Sequence, residues 1–280
     1  MITQCITVHG VTLHALLRQP VRPAIGGTLV LLHGFTGSAA GWGDHLDAFA
    51  DAGLHVIALD LLGHGESDAP ANPERYSIQR CRQDILAALE ELDVPADRAI
   101  LLGYSLGGRI ALYTALSGYF RGLVLESASP GIADSVERER RRAHDEALAV
   151  CIEHEGVPVF VDYWEDLPLF ASQRALPPER RATLRVQRLR NRASGLANSL
   201  RGVGAGTQPA LHDELMGLDI PCLLVAGALD AKYSCLAEEM AEQLPQAMLR
   251  VVPEAGHAVH LEQPEAFDTA VLGFCLKAFD

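Results

Sequence analysis

Six short apolar runs set the frame of this chain: residues 28–32, 55–60, 99–102, 122–126, 222–226 and 248–252. Several, such as Thr28-Leu29-Val30-Leu31-Leu32 and Cys222-Leu223-Leu224-Val225-Ala226, are apolar without alternation. A strand with one face in water alternates apolar and polar residues, so an unbroken run of this kind belongs to a strand covered on both faces, as in a parallel sheet between helices. Helical spacing appears between the runs. Residues 77–92 place Ile78, Cys81, Ile85, Ala88, Leu89 and Leu92 on one face, and further helices are predicted near 42–52, behind residue 105 and over 264–278. The chain is therefore α/β, with a mostly parallel central sheet flanked by helices. At the start, residues 2–8 and 11–17 flank His9-Gly10, which predicts a β-hairpin at a sheet edge.

Between the third run and its helix stands Gly103-Tyr104-Ser105-Leu106-Gly107. A serine on so sharp a bend is held proud of the sheet, with the amide of the next residue, Leu106, aimed back across it. Gly103 and Gly107 leave room where a Cβ would clash. Gly-x-Ser-x-Gly also arises by chance, and the strand before it and the helix after it supply the context that chance lacks. After the first run comes His33-Gly34-Phe35-Thr36-Gly37-Ser38, a loop whose Phe35 amide can face a reacting oxygen opposite that of Leu106. Gly34 and Gly37 also have a plainer use, in the turn to the next helix.

The serine needs an acid and a base. Asp230 follows the fifth run and His257 the sixth, which puts both on loops at the strand ends that carry Ser105, in the chain order Ser, Asp, His. Taken singly, Asp230 could cap the helix beginning near Tyr233, and His257 could lie on the surface, as His260 is expected to do. Together the three specify a triad. His64 is expected to be a loop histidine that fixes backbone beside the site, since no carboxylate or second histidine stands at metal spacing from it.

From Gly131 to Asp213 the strand repeat stops and the text is helical and Arg-rich. We read residues 1–130 and 214–280 as the core and 131–213 as an inserted helical cap over the C-terminal strand ends, where open α/β sheets bind ligands. The cap segment holds 12 arginines and no lysine against 12 carboxylates, so the whole net charge of −13 lies in the remainder. That charge disfavours nucleic acid and anionic membrane as partners. No apolar run approaches the roughly 20 residues of a membrane span, and no signal peptide is visible at the start, so a cytoplasmic protein is expected. The six cysteines form no Cys-x-x-Cys pair and read as reduced, mostly buried thiols. No metal or cofactor is implied.

On these motifs the chain resembles the α/β-hydrolase fold family over essentially its whole length. Gly103-Tyr104-Ser105-Leu106-Gly107-Gly108-Arg109, Ser129-Pro130-Gly131, Asn198-Ser199-Leu200-Arg201-Gly202 and Gly256-His257-Ala258 resemble more narrowly the 2-succinyl-6-hydroxy-2,4-cyclohexadiene-1-carboxylate synthases of menaquinone biosynthesis. The resemblance implies a lyase that removes a proton α to the succinyl carbonyl of a tricarboxylate and expels pyruvate. It implies Ser105, Asp230 and His257 as catalytic residues, with the Phe35 and Leu106 amides holding the enolate oxygen. It also implies Arg109, Arg141 and Arg188 as partners for substrate carboxylates, with Tyr104 and Trp164 as apolar walls. Arg138, Arg140, Arg142, Arg190 and Arg192 read as a solvated helix face.

The same parts that stabilise an enolate stabilise the oxyanion of ester hydrolysis. A carboxylesterase, or a carbon–carbon bond hydrolase using Ser105 as nucleophile, is therefore the alternative enzyme. A receptor built on a dead hydrolase pocket would usually have lost a triad member, and all three are present here.

Overall fold

The computed structural model describes residues 1–22 and 26–279. Eight strands form one sheet in the order β1-β2-β4-β3-β5-β6-β7-β8. The hairpin of β1 (Ile2–Val8) and β2 (Val11–Arg18) turns on His9 and Gly10, both at positive φ (47° and 78°), as a two-residue turn between right-twisted strands requires. It lies at one edge, antiparallel to β4 (His55–Leu59). From β4 across β3 (Thr28–Leu32), β5 (Ala99–Tyr104), β6 (Gly122–Glu126) and β7 (Cys222–Gly227) to β8 (Ala247–Val252), every pairing is parallel.

The unbroken apolar runs divide by residue parity between two layers. Val30, Leu32, Ile57, Leu59 and Leu101 face a core shared with α2 (Ile78–Glu91), α3 (Leu106–Ala115) and α7 (Ala231–Gln243). Leu29, Leu31, Val56, Ala58 and Ile100 face α1 (His45–Asp51) and α9 (Pro264–Phe279) on the other side. The expected helix over 42–52 is shorter. Gly43, at φ 50°, separates a tight turn at Ala39–Trp42 from α1 and lets the Trp42 indole drop into the second layer.

Chain order reverses between β3 and β5, since β3 is followed by β4 on one side and β5 pairs on the other. The crevice at their carboxyl ends is where such sheets hold ligands.

The excursion between β6 and β7 comprises α4 (Ser135–Glu165), an irregular helical stretch at Pro168–Ala175, α5 (Pro178–Leu189) and α6 (Ala193–Val203). Gly156, at φ 84° and ψ 168°, breaks α4, and Pro158 falls in the first turn of the second half, where its missing N–H costs nothing. These helices bury their own small cluster around Ile152, Phe160, Val161 and Leu196, against which Phe35 packs. The two ends of the excursion meet: Leu211 N donates to Pro130 O at 2.7 Å.

The cysteines divide evenly rather than being mostly buried. Cys81, Cys222 and Cys275 lie in the core, while Cys5 on the edge strand and Cys151 and Cys235 on outward helix faces are exposed. No helix among the described residues is long and apolar enough to cross a membrane.

Candidate active site

β5 ends at Tyr104 and α3 begins at Leu106, so Ser105 makes the whole turn, at φ 50° and ψ −107°. A non-glycine residue in that region is strained, and the surroundings must hold it there. Ser105 N donates to Glu126 O at 2.9 Å, and the neighbours are packed too closely for side chains. A Cβ on Gly107 would run into the carbonyls of Leu32 and His33, and one on Gly103 would meet the backbone of Gly107 and Gly108.

The structure brings Ser105, His257 and Asp230 together. His257 Nε2 lies 3.0 Å from Ser105 Oγ, and His257 Nδ1 lies 2.7 Å from Asp230 Oδ2. A carboxylate can only accept, so Nδ1 carries the hydrogen and Nε2 presents its lone pair to the serine hydroxyl. Asp230 also fills the plainer role: its Oδ1 accepts from Tyr233 N at 3.2 Å and caps α7. One oxygen starts the helix and the other orients the histidine. His257 is buried and Ser105 opens on the cavity.

Phe35 and Leu106 both border that cavity. Leu106 is the first residue of α3, where amides have no intrahelical acceptor and the helix dipole is positive. Phe35 sits in a turn closed by Gly37 N donating to Gly34 O at 3.0 Å, with Thr36 at φ 68°. His33 holds this loop, donating from Nδ1 to Gly34 O at 2.8 Å and accepting from Leu61 N at 3.0 Å. His64 behaves as the loop histidine expected. It donates to Leu62 O at 3.2 Å, and burial pushes its pKa down to about 3, so it stays neutral against the His33 ring.

Tyr104, Arg109, Arg141, Trp164 and Arg188 all line the cavity, and the arginines arrive already engaged. Arg109 is buried, and its Nη1 donates to Val203 O at 3.0 Å and Gln208 Oε1 at 2.7 Å. Burial lowers its pKa to about 10. Arg141 Nε donates to Asp145 Oδ1 at 2.8 Å. Arg188 reaches Glu165 Oε1 and Gln173 Oε1, each at 3.0 Å, and lies over the Phe170 ring. Trp164 packs among Phe35, Phe160 and Phe170. Tyr104 stands between His257 and His260, with burial raising its hydroxyl pKa well above the usual value.

Two expectations are corrected. His260 is not a surface residue: it is buried, with Nδ1 2.8 Å from Glu126 Oε1. The set of five arginines assigned to a solvated face divides. Arg140 and Arg190 are exposed, and Arg142 pairs with Glu139 in solvent; Arg192 is exposed too but donates to Ser67 O, and only Arg138 is partly buried, donating to Ile132 O at 2.9 Å. These two bonds each join a helix start to a loop.

Sequence reasoning passes over Tyr233, whose ring stands edge-on to His257 at 4.5 Å in the cavity wall. Its signal was available, since a residue three after a capping Asp230 must lie in the same turn. Asp145, Gln173 and Gln208, which fix the arginines, leave no such trace.

The Alpha/beta hydrolase family model matches residues 29–270. A 2-succinyl-6-hydroxy-2,4-cyclohexadiene-1-carboxylate synthase of Serratia proteamaculans (strain 568) is 36% identical over 252 residues, covering 89% of this chain and 93% of the relative. A Bacillus subtilis (strain 168) protein that carries the same name provisionally is 42% identical over 254 residues, covering 90% and 91%. The solved structure of MenH from S. aureus superimposes with a TM-score of 0.90 at 34% identity, over 95% of this chain and 99% of that one.

Proposed function

The chain belongs to the alpha/beta hydrolase family, in its branch of 2-succinyl-6-hydroxy-2,4-cyclohexadiene-1-carboxylate synthases, and from that premise we propose that it acts as a carbon–oxygen lyase in menaquinone biosynthesis. Its substrate is the tricarboxylate 2-succinyl-5-enolpyruvyl-6-hydroxy-3-cyclohexene-1-carboxylate. The observation that carries this reading is one cavity holding both the Ser105, His257 and Asp230 relay and three guanidinium groups, Arg109, Arg141 and Arg188. Three carboxylates call for three such partners.

In the reaction, Ser105 Oγ takes the ring proton α to the succinyl carbonyl as its own proton passes to His257 Nε2. Asp230 stabilises the imidazolium that forms. The electrons shift through the ring double bond and break the bond to the enolpyruvyl oxygen, and the departing enolate takes up the one proton that the Ser105 and His257 pair gained, becoming pyruvate and resetting the pair. No water is consumed. While the proton leaves, charge builds on the succinyl carbonyl oxygen, and the Phe35 and Leu106 amides receive it; the place of both residues in the cavity wall supports this role.

The test is pyruvate release from the enolpyruvyl substrate, together with mass spectrometry of enzyme quenched during turnover. A kcat/KM of about 10⁴–10⁸ M⁻¹s⁻¹ is expected, with no adduct on Ser105 and slow turnover of neutral esters, which gain no binding energy from the guanidinium groups. A substrate-derived adduct on Ser105, or fast ester hydrolysis without pyruvate, assigns the chain to the hydrolases instead.

Arg188→Ala and Arg141→Ala should each cost on the order of 1.5–3 kcal/mol of transition-state stabilisation, the worth of a charged hydrogen bond. Their melting temperatures should differ. Removing Arg188 leaves Glu165 paired with Arg185 at 2.8 Å. Removing Arg141 leaves the buried Asp145 carboxylate, among the described residues, with a 3.4 Å hydrogen bond from Gly206 N, so this variant should melt lower. Kinetics on the tricarboxylate and thermal melts check both, and normal kinetics would return either arginine to a structural role.

A further inference from the structure

His257 has no regular element of its own. Gly256, His257 and Ala258 end the six-residue segment 253–258 between β8 and the single-turn helix α8 (Val259–Glu262), and an irregular segment of that length would leave the imidazole free to wander. It is held instead by a side chain at the end of that turn. Glu262 Oε2 accepts from Gly256 N at 2.7 Å, and Glu262 Oε1 accepts from Ala258 N at 3.3 Å. One carboxylate thus spans the two amides that flank the histidine. The approach is close: a Cβ on Gly256 would stand 3.1 Å from Glu262 Oε2 and would also collide with Ser172 Oγ.

The turn that carries Glu262 is itself anchored. Glu126, fully buried at the end of β6, accepts from His260 N at 3.0 Å through Oε1 and from His260 Nδ1 through both oxygens, at 2.8 and 2.9 Å. Glu126 O is also the acceptor for Ser105 N. His45 Nε2 donates to His260 O at 2.9 Å from the opposite side. The loop bearing His257 and the turn bearing Ser105 are therefore referred to one residue, Glu126, and the last link to His257 is Glu262.

We propose that Glu262 is a positioning residue for His257, its carboxylate fixing the two flanking amides and so setting the Nε2 to Ser105 Oγ distance. The inference rests on His257 acting as base toward Ser105, and it is independent of the substrate that fills the cavity.

The experiment is the second-order rate at which an uncharged fluorophosphonate modifies Ser105. In that step Oγ bonds to phosphorus, fluoride leaves, and the Oγ proton passes to His257 Nε2. Glu262→Gln replaces one acceptor by an amide NH₂ facing a backbone N–H. Glu262→Asp keeps the charge but is one methylene too short to span both amides. Both variants should lose about 10-fold to 100-fold in rate, the scale of a misplacement of order 1 Å. Their melting temperatures should stay within a few degrees of the parent, since Glu262 is only half-buried. The downfield proton resonance of His257 Nδ1 should broaden or move. Glu254→Gln removes an exposed carboxylate from the same loop without touching either amide, so its rate should remain within about threefold. Wild-type rates in both Glu262 variants overturn the proposal, as does an equal loss in Glu254→Gln, which would point to removal of negative charge rather than to geometry. Failure of the unaltered protein to react at all would instead overturn the base role of His257 on which the inference stands.

Discussion

Ser105→Ala is expected to lower turnover by roughly 10³ or more, His257→Ala by a similar factor, and the double variant by no more than the worse of the two. The physical reason is that the three side chains form a single proton path. Ser105 Oγ is basic only because Nε2, at 3.0 Å, can take its proton, and Nε2 can do so only because Asp230 holds the hydrogen on Nδ1 at 2.7 Å. Either deletion cuts the same path, so the second deletion has nothing left to remove. Asp230→Ala should lose activity too, and it should also melt lower, because its Oδ1 caps α7 and an N-cap is worth about 1 kcal/mol. Steady-state kinetics of pyruvate release with matched thermal melts provide the check. Losses that multiply in the double variant would mean that Ser105 and His257 act separately.

Arg109→Met should lower kcat/KM about a hundredfold, equivalent to about 2.8 kcal/mol. Arg109 is buried, and among the described residues its hydrogen bonds go to a carbonyl and an amide oxygen rather than to a carboxylate. A cation in that setting is costly. Burial lowers its pKa to about 10, so Arg109 is still charged near neutrality, and the fold bears the whole cost of burying that charge at every pH well below 10. On the proposed function, a substrate carboxylate would supply the missing negative charge and offset that cost. Hence a non-reacting tricarboxylate analogue should raise the melting temperature of the parent protein and leave that of Arg109→Met nearly unchanged. Equal shifts in the two proteins would remove Arg109 from the substrate's contacts.

What the sequence makes legible follows from the range of the forces involved. The parallel strands can be read directly because burial on both faces demands apolar residues at consecutive positions, and the turn at Ser105 because only glycines fit beside it. Asp230 and His257 are legible through chain order and strand-end placement. His260 is not, because its partner Glu126 lies 134 residues away and a histidine near a helix start looks like any polar surface residue. The one trace is Glu126 itself, a carboxylate closing an otherwise apolar run that is buried at every position. The broken helix at Gly156 is foreshadowed by the nearby Pro158, whereas the pairing of Arg188 with Glu165 and Gln173 depends on a turn between helices that no periodicity records.

The hydrogen bond between Leu211 N and Pro130 O places the exit and the return of the helical excursion at one point on the core. An insertion whose ends already touch imposes almost no loop-closure constraint on what lies between them, and each doubling of its length costs only about 0.6 kcal/mol. Ser105, Asp230, His257 and Phe35 all belong to the chain outside the excursion, while Arg141, Trp164 and Arg188 belong to it. The acid–base residues thus all lie on one side of this junction while the proposed substrate contacts straddle it, Tyr104 and Arg109 staying with the core, so a graft between residues 130 and 211 would exchange only part of the carboxylate-binding set.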